Sequence, residues 1–404
     1  MVFACQNDSF LKEFTTTVIS CKQSKLATIK LGKKEILDGF EVVLEDTILF
    51  PEGGGQPWDH GTIAGKEVIQ VIRRGTDAVH FLREPVEEGL TVHLKLDWNR
   101  RLDHMQQHSG QHLITAVINA EYGNMPTTSW WLGEEISFIE LDTPTMSAEQ
   151  MAHVEALANK YIREGRCVTV NSYETSDPVL EKARTRGLPE DHVGKVRVVS
   201  IENLEDDMCC GTHVSNLSQL QMIKLTGTEK GKKGKIKLNF LAGNRVLLKM
   251  EELLLRETAL SNLLQNKGSM HVQLTEKIQD SLKNANKKLQ TVLREIAVHE
   301  ADRLKQADPK PSYSILHRKE ADMDFINVFL KDFNDESIML LLIVGEEPNI
   351  QIMLHGKPDR VAEVGPKLCE LMDGKGFGKG KKYQAKVAKL KLPQVKKLLE
   401  ESCN

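Results

Sequence analysis

The sequence lacks any long apolar run. The longest, IMLLLIV from Ile338 to Val344, falls far short of the roughly 20 residues that span a bilayer, so no membrane segment is expected and the run reads as a buried strand. No dominant charge is present either: 54 Lys and Arg against 57 Asp and Glu leave a formal charge of -3, so a nucleic-acid partner has to be argued from local clusters. No disulfide framework is evident, because the cysteines number seven, an odd and scattered set. The opening MVFACQNDSF has no basic stretch followed by an apolar one, and together these features point to a reducing, cytoplasmic setting. Internal repeats are absent too.

What remains is an ordinary globular composition, 40% hydrophobic and 27% charged over 404 residues, enough for two to four domains, by the usual roughly 100–200 residues each. Residues 1–98 alternate short β-type runs (TTTVIS, LATIKL, GFEVVLEDTILF, GTIAGKEVIQVIRR, LTVHLKLDW) with turns, which predicts a small barrel or sandwich. Residues 99–245 form an α/β domain. It opens with a helix from Asn99 to Tyr122 whose apolar stripe is Leu102, Met105, Leu113, Ala116, Val117 and Ala120. A strand pair follows around SWWLGEEISFIELD, then a helix from the capping-box-like SAEQ at Ser147 to Gly165, the strand CVTVNSY, a loop-rich stretch to Gly194, the strand KVRVVSIE, the loop DDMCCGTHV and a hairpin through EKGKKGKIK. In residues 246–308 the positions Ile278, Leu282, Ala285, Leu289, Val292 and Ile296 are spaced as a heptad seam, predicting an antiparallel helical hairpin or a self-associating coil. Residues 309–404 read as α/β, with strands at INVFL, SIMLLLIV and NIQIML and helices at RVAEVGPKLCELM and PQVKKLLEESC.

Chemistry concentrates in two short motifs. HSGQH places His108 and His112 one helical turn apart, the spacing that aims two imidazoles at one metal ion, but Ser109 stands where the HExxH signature of metalloproteases has glutamate. His104 shares the same face, so spacing alone leaves open which two of the three serve. In MCCGTHV, Cys209 and His213 are also four apart, with Gly211 between them; Cys210 with His213 is the weaker pairing. Three nitrogens and one sulfur suit zinc in number and softness. The bland alternative is that both cysteines are buried small hydrophobes beside a capping histidine.

HSGQH with CCGTH, preceded by LDWNRRLDHMQQ and FPEGGGQPWDHG, resembles the editing domain of alanyl-tRNA synthetase and its free-standing relatives, the alanyl-tRNA editing proteins, or AlaX family, in the long form. The resemblance covers roughly residues 10–245. It implies a multidomain α+β fold: an N-terminal β-barrel, an α/β editing domain of the threonyl/alanyl-tRNA synthetase type, a helical hairpin and a C-terminal α/β domain. It also implies one zinc ion per chain on His108, His112, Cys209 and His213, and hydrolysis of serine or glycine wrongly esterified to tRNA(Ala). No ATP-binding signature occurs, so the expected action is editing in trans. With no glutamate beside His108, no separate general base is assigned, and backbone amides are expected to stabilise the oxyanion.

Substrate contacts are expected from Gly53, Gly54 and Gly55, for which a plain tight turn is an equal reading, from Gln56, and from the hydroxyls of Thr127, Thr128 and Ser129. For tRNA, two basic tracts qualify: Lys230, Lys232, Lys233 and Lys235, then Lys375, Lys379, Lys381 and Lys382 in a glycine-rich loop with Phe377 and Tyr383. Neither is a Walker loop. That glycine-rich tract resembles the basic loop of the domain that follows the editing domain in alanyl-tRNA synthetases. Two competing readings are a non-catalytic tRNA- or partner-binding protein whose zinc only staples a loop, and a general zinc esterase.

Overall fold

The structure is a computed structural model that describes residues 2–30, 33–185 and 194–403. The chain divides into two compact units, Met1–Thr258 and Ala259–Asn404. The last part of the loop-rich stretch expected before Gly194, residues 186–193, lies outside the described residues, as does Leu31 of LATIKL.

In the first unit a short helix, α1 (Ala4–Asn7), precedes six strands: β1 (Glu13–Lys30), β2 (Lys33–Leu44), β3 (Gly61–Ile63), β4 (Lys66–Arg74), β5 (Asp77–Leu82) and β6 (Thr91–Leu96). They close into a barrel in the order β1-β2-β5-β4-β3-β6. TTTVIS and LATIKL belong to one strand: the start of β1 pairs with β6 and the rest with β2, and a register shift between Val18 and Ser20 marks the changeover. β5 was missing from the sequence reading. Inward positions alternate as a half-buried strand requires, with Val92, Leu94 and Leu96 buried on β6, and they meet Val18, Val42, Ile63, Val71 and Leu82 in one core.

His80 on β5 is fully buried. Nδ1 lies 3.2 Å from the Val42 carbonyl, to which it can only donate, so Nε2 accepts from the Thr47 hydroxyl at 2.9 Å and the ring is neutral. Burial pushes its pKa down to about 4. The unfolded chain therefore takes up this proton near the ordinary histidine value while the barrel resists it. The stability His80 gives is complete above about pH 6.5 and is lost as pH falls through about 4, on the order of 2 kcal/mol being gone by pH 5. Urea unfolding should show wild type losing more stability than His80→Gln between about pH 7.5 and pH 5; equal losses would contradict this.

The rest of the first unit comprises α2 (Trp98–Tyr122), β7 (Thr127–Leu132), β8 (Ser137–Leu141), α3 (Ala148–Glu164), β9 (Val168–Tyr173), α4 (Val179–Lys182), β10 (Val196–Ile201), β11 (Glu205–Met208), β12 (Ile223–Lys230), β13 (Ile236–Ala242) and α5 (Asn244–Leu264), the last running into the second unit. Two sheets form, β12-β13-β8-β7 and β11-β10-β9. Asp97 caps α2 by accepting from the amides of Asn99 and Arg100, and Gly123 ends it in the left-handed conformation. The expected apolar stripe is only part of the picture, because every residue from His104 to Ile118 is buried. A helix enclosed on all sides must bond its polar side chains inside the protein, and that requirement assembles the site.

The second unit holds α6 (His271–Lys305), β14 (Tyr313–Arg318), α7 (Met323–Asp332), β15 (Met339–Val344), β16 (Ile350–His355), α8 (Pro358–Leu371), β17 (Gly374–Lys379), β18 (Lys382–Val387) and α9 (Leu392–Cys403). Its sheet runs β14-β15-β16-β18-β17. β15 is buried throughout because both faces are covered: Leu341 and Ile343 face α8 and α9, while Leu340 and Leu342 join the core of α7 and the end of α6. Two expectations need correcting. INVFL is not a strand but part of α7, where Phe325, Ile326, Phe329 and Leu330 fall on one helical face behind the cap Asp322. The glycine-rich basic tract is not a loop but the hairpin β17–β18, in which a Cβ on Gly376 or Gly378 would lie within 2.9 Å of the Tyr383 ring. The heptad seam is largely exposed, Ile278 at 55% and Leu282 at 60%, as a seam meant for self-association would be, and α6 is buried at His271 and near its end, where Ala297 and Ala301 pack with α7. Among the described residues no helix is long and apolar enough to cross a membrane.

Candidate metal centre

His108 and His112 on α2, with Cys209 and His213 on the loop after β11, form a single cluster whose ligand atoms all lie within 4.8 Å of one another. Cys209 Sγ is 3.4 Å from His108 Nε2 and 3.3 Å from His213 Nε2. Tetrahedral zinc, with bonds of about 2.0 Å to nitrogen and 2.3 Å to sulfur, sets its ligand atoms about 3.3–3.6 Å apart. The two Cys209–histidine separations match that spacing, and three imidazoles with one thiol suit a single divalent ion in number and softness. Among the described residues no other group of three or more such side chains comes together. His104 stays outside: it is buried beside Arg100, Arg245 and Arg101, and burial, reinforced by these cations, drives its pKa down to about 2.

His108 and His213 turn Nε2 toward Cys209, and each of the three rings has its other nitrogen beside a polar partner. His112 Nδ1 lies 3.0 Å from Asp207 Oδ2, and Arg184 holds the second oxygen of that carboxylate from 2.5 Å. His213 Nδ1 is 3.0 Å from Ser109 Oγ, which also accepts from the Val214 amide at 3.1 Å. Ser109, standing where a metalloprotease carries its glutamate, is thus turned to the far histidine. His108 Nδ1 is 2.9 Å from Gln56 Oε1. Orienting partners of this kind fix the tautomer and raise metal affinity. The four side chains the sequence singles out come together in one cluster, whereas Asp207 and Ser109 as their partners are not foreseen; an acid two residues before Cys209 is the one visible signal.

Electrostatics agree with a thiolate site. Burial alone would raise the Cys209 thiol, but His108, His213 and His112 around it hold it well below the ordinary range. Burial opposes protonation of His112 as well, yet Cys209 and Asp207 lift its pKa to about 10. His213, where burial prevails, falls to about 3. The loop itself is clamped by the buried Arg197, which donates to the carbonyls of Cys209 and Gly211 at 2.9 and 2.6 Å.

Gly211 is required by contact. A Cβ there would lie 2.2 Å from His108 Cε1 and 2.9 Å from Gln56 Oε1. Gly211→Ala should lower metal retention and cost about 1–3 kcal/mol by overpacking, read as metal content after dialysis and as unfolding midpoint. An unchanged metal content would show that the loop has slack.

A cavity of about 160 Å³ opens beside the cluster, with His112 and Cys209 in its wall and Thr127, Trp130, Arg184 and Asp207 around them. Of the expected substrate residues, Thr127 lines it, whereas the Thr128 hydroxyl bonds Glu140 at 2.8 Å. The glycines form a two-residue turn closed by Gly53 and Gln56, with positive φ at Gly54 and Gly55. Trp130 Nε1 donates to the Gly54 carbonyl at 2.8 Å, placing the turn against the cavity wall. Lys230, Lys232 and Lys233 are exposed at the β12–β13 tip, and Lys235 lies 3.8 Å from Glu140. In the second unit Lys375, Lys379 and Lys382 are exposed on β17–β18, and Lys381 bonds Asn334 and Glu336.

The family model of the threonyl and alanyl tRNA synthetase second additional domain matches residues 196–238. The chain is 47% identical over 403 residues to the alanyl-tRNA editing protein Aarsd1 of Danio rerio, covering 99% of this chain and 98% of that protein. It is 49% identical to the Aarsd1 protein of Mus musculus, covering 96% and 95%. The alanyl-tRNA editing protein AlaX-L of Pyrococcus horikoshii is 26% identical, with 92% and 91% covered. By ligand cluster, flanking tract and full-length identity, the chain belongs to the AlaX-like family of alanyl-tRNA editing proteins.

Proposed function

We propose that this chain is a zinc-dependent deacylase acting in trans on tRNA(Ala) that carries serine, with glycine as a second substrate, in the cytoplasm. The observation that carries the reading is the convergence of three imidazoles and one thiol in a cluster of which His112 and Cys209 face a small cavity. Bound there, zinc would supply Lewis-acid polarisation of the aminoacyl ester. The protein's own part is positional: Asp207 and Ser109 hold two of the ligand rings, and Trp130, tied to Gly54, walls the cavity.

A polar relay supports serine. Gln111 Nε2 donates to Thr115 Oγ1 at 2.9 Å, and Thr115 lies 3.2 Å from the Thr127 hydroxyl. With Thr115 donating onward, Thr127 keeps its own hydrogen for a group in the cavity. Gln111 Oε1 is buried and unpartnered. A pocket that bonds a hydroxyl disfavours alanine, which leaves those groups unpaired. Lys230, Lys232 and Lys233 would meet backbone phosphates, and the β17–β18 lysines would serve the same end from the second unit.

The test is release of amino acid from tRNA(Ala) charged with serine, glycine or alanine. Rapid release of serine, slower release of glycine and retention of alanine are expected. Four protein donors also make a complete structural zinc site, which is what favours the second reading, a zinc-stapled tRNA or partner binder. That protein would hold the tRNA without releasing serine. A general esterase would cleave small esters and show no salt-dependent tRNA affinity.

A further inference from the structure

We propose that Gln56 is a positioning residue of the metal centre: it fixes the tautomer of His108, so that the segment joining barrel strands β2 and β3 is a working part of the zinc site. The inference rests on the zinc reading above and extends it to a residue outside the ligand motifs.

The assignment follows from donors and acceptors alone. Gln56 is fully buried. One of its amide atoms lies 3.0 Å from the backbone nitrogen of Thr212, and the other lies 2.8 Å from the Thr212 hydroxyl oxygen. A backbone N–H only donates, so the first atom is the carbonyl oxygen. The reverse orientation would set two donors against each other in a buried site, an outcome that costs the desolvation of both. His108 Nδ1 meets this same oxygen at 2.9 Å, so Nδ1 must carry the hydrogen. The lone pair is then on Nε2, the atom 3.4 Å from Cys209 Sγ. One glutamine thus grips the metal loop at Thr212 with both ends of its amide and sets the ligand atom of the helix.

The glycines before Gln56 explain how it reaches so deep. A Cβ on Gly54 would lie 3.2 Å from Cys210 Sγ, and one on Gly55 would lie 2.5 Å from the Trp130 indole. Only a bare backbone turn can enter between the loop and the strand. The three histidines also differ in where their anchors come from. Ser109 is on α2 and Asp207 on β11, both next to the ligands, whereas Gln56 comes from between barrel strands, 52 residues before the ring it holds. Without it His108 would be free to carry its proton on either nitrogen.

The experiment compares full-length wild type, Gln56→Leu and Gln56→Glu for zinc affinity by chelator competition and for the cobalt(II) absorption spectrum of the substituted site. Gln56→Leu keeps the volume and removes the acceptor. It should weaken zinc binding by roughly 10- to 100-fold and alter the cobalt spectrum, whereas Gln56→Glu, which still accepts from Nδ1, should stay within about threefold of wild type. A folded Gln56→Leu protein with wild-type affinity and spectrum overturns the proposal, as does a folded Gln56→Glu as weak as Gln56→Leu. If Gln56→Leu does not fold, Thr212→Val replaces it: freeing one end of the amide should weaken zinc binding by about 3- to 10-fold, and no change would overturn the assignment. A wild type that holds zinc tightly yet releases no serine defeats the deacylase reading and leaves the Gln56 assignment standing.

Discussion

Replacing Cys209 with alanine is expected to give a folded protein that retains no zinc and releases serine from mischarged tRNA(Ala) roughly a thousandfold more slowly, the rate equivalent of several kcal/mol of lost Lewis-acid stabilisation. Cys209 is the only sulfur in the cluster and the nearest neighbour of two imidazole nitrogens. Without it His108, His112 and His213 face one another with no thiolate between them, leaving only Asp207 beside His112. The loop should nevertheless stay in place, because Arg197 holds it through carbonyls of Cys209 and Gly211 and Gln56 holds it at Thr212, contacts made to backbone or to other residues. Metal analysis and deacylation are therefore measured on the same sample, with an unfolding curve as control. Full activity in a metal-free Cys209→Ala protein would refute the mechanism.

Breaking the Arg101–Asp59 pair should cost about 3–5 kcal/mol of folding stability, because either substitution leaves an uncompensated charge in the interior. Both side chains are fully buried and 2.5 Å apart. Burial would lower the Arg101 pKa, but Asp59 more than offsets it. Arg101 also donates to the carbonyls of Ser9 and Ile48, and Asp59 accepts from the Phe50 amide. The pair therefore pins the first turn of α2 to the segment that carries the glycine turn and Gln56. Asp59→Ala and Arg101→Met should each lower the urea midpoint strongly, and the double variant should lose clearly less than the two losses added. Strict additivity would mean that the pair has no energetic coupling.

The four clustered side chains were legible because two local spacings of four residues, one on a helix and one across Gly211, carry the chemistry in a form that sequence displays. Their orienting partners were not, since Gln56 and Asp207 reach their histidines from 52 and 95 positions away, and only folding brings such groups together. Gln56, expected as a substrate contact, bonds His108 and Thr212 in the structure. INVFL was misread on its β-branched content, although Phe325 and Phe329 one turn apart, behind Asp322, already spelled a helix. β17 was misread for the opposite reason. Glycines and lysines suggested a loop, but alternate glycines are what an edge strand needs to lie over Tyr383. The α2 stripe was real but incomplete, because burial on every side is a property of the neighbours.

X-ray absorption at the zinc edge of the purified full-length protein, together with metal content per chain, bears on the central claim most directly. One zinc per chain with a first shell of one sulfur at about 2.3 Å and three nitrogens at about 2.0–2.1 Å is predicted. A shell without sulfur, or a protein that releases serine from tRNA(Ala) with no zinc bound, would contradict it.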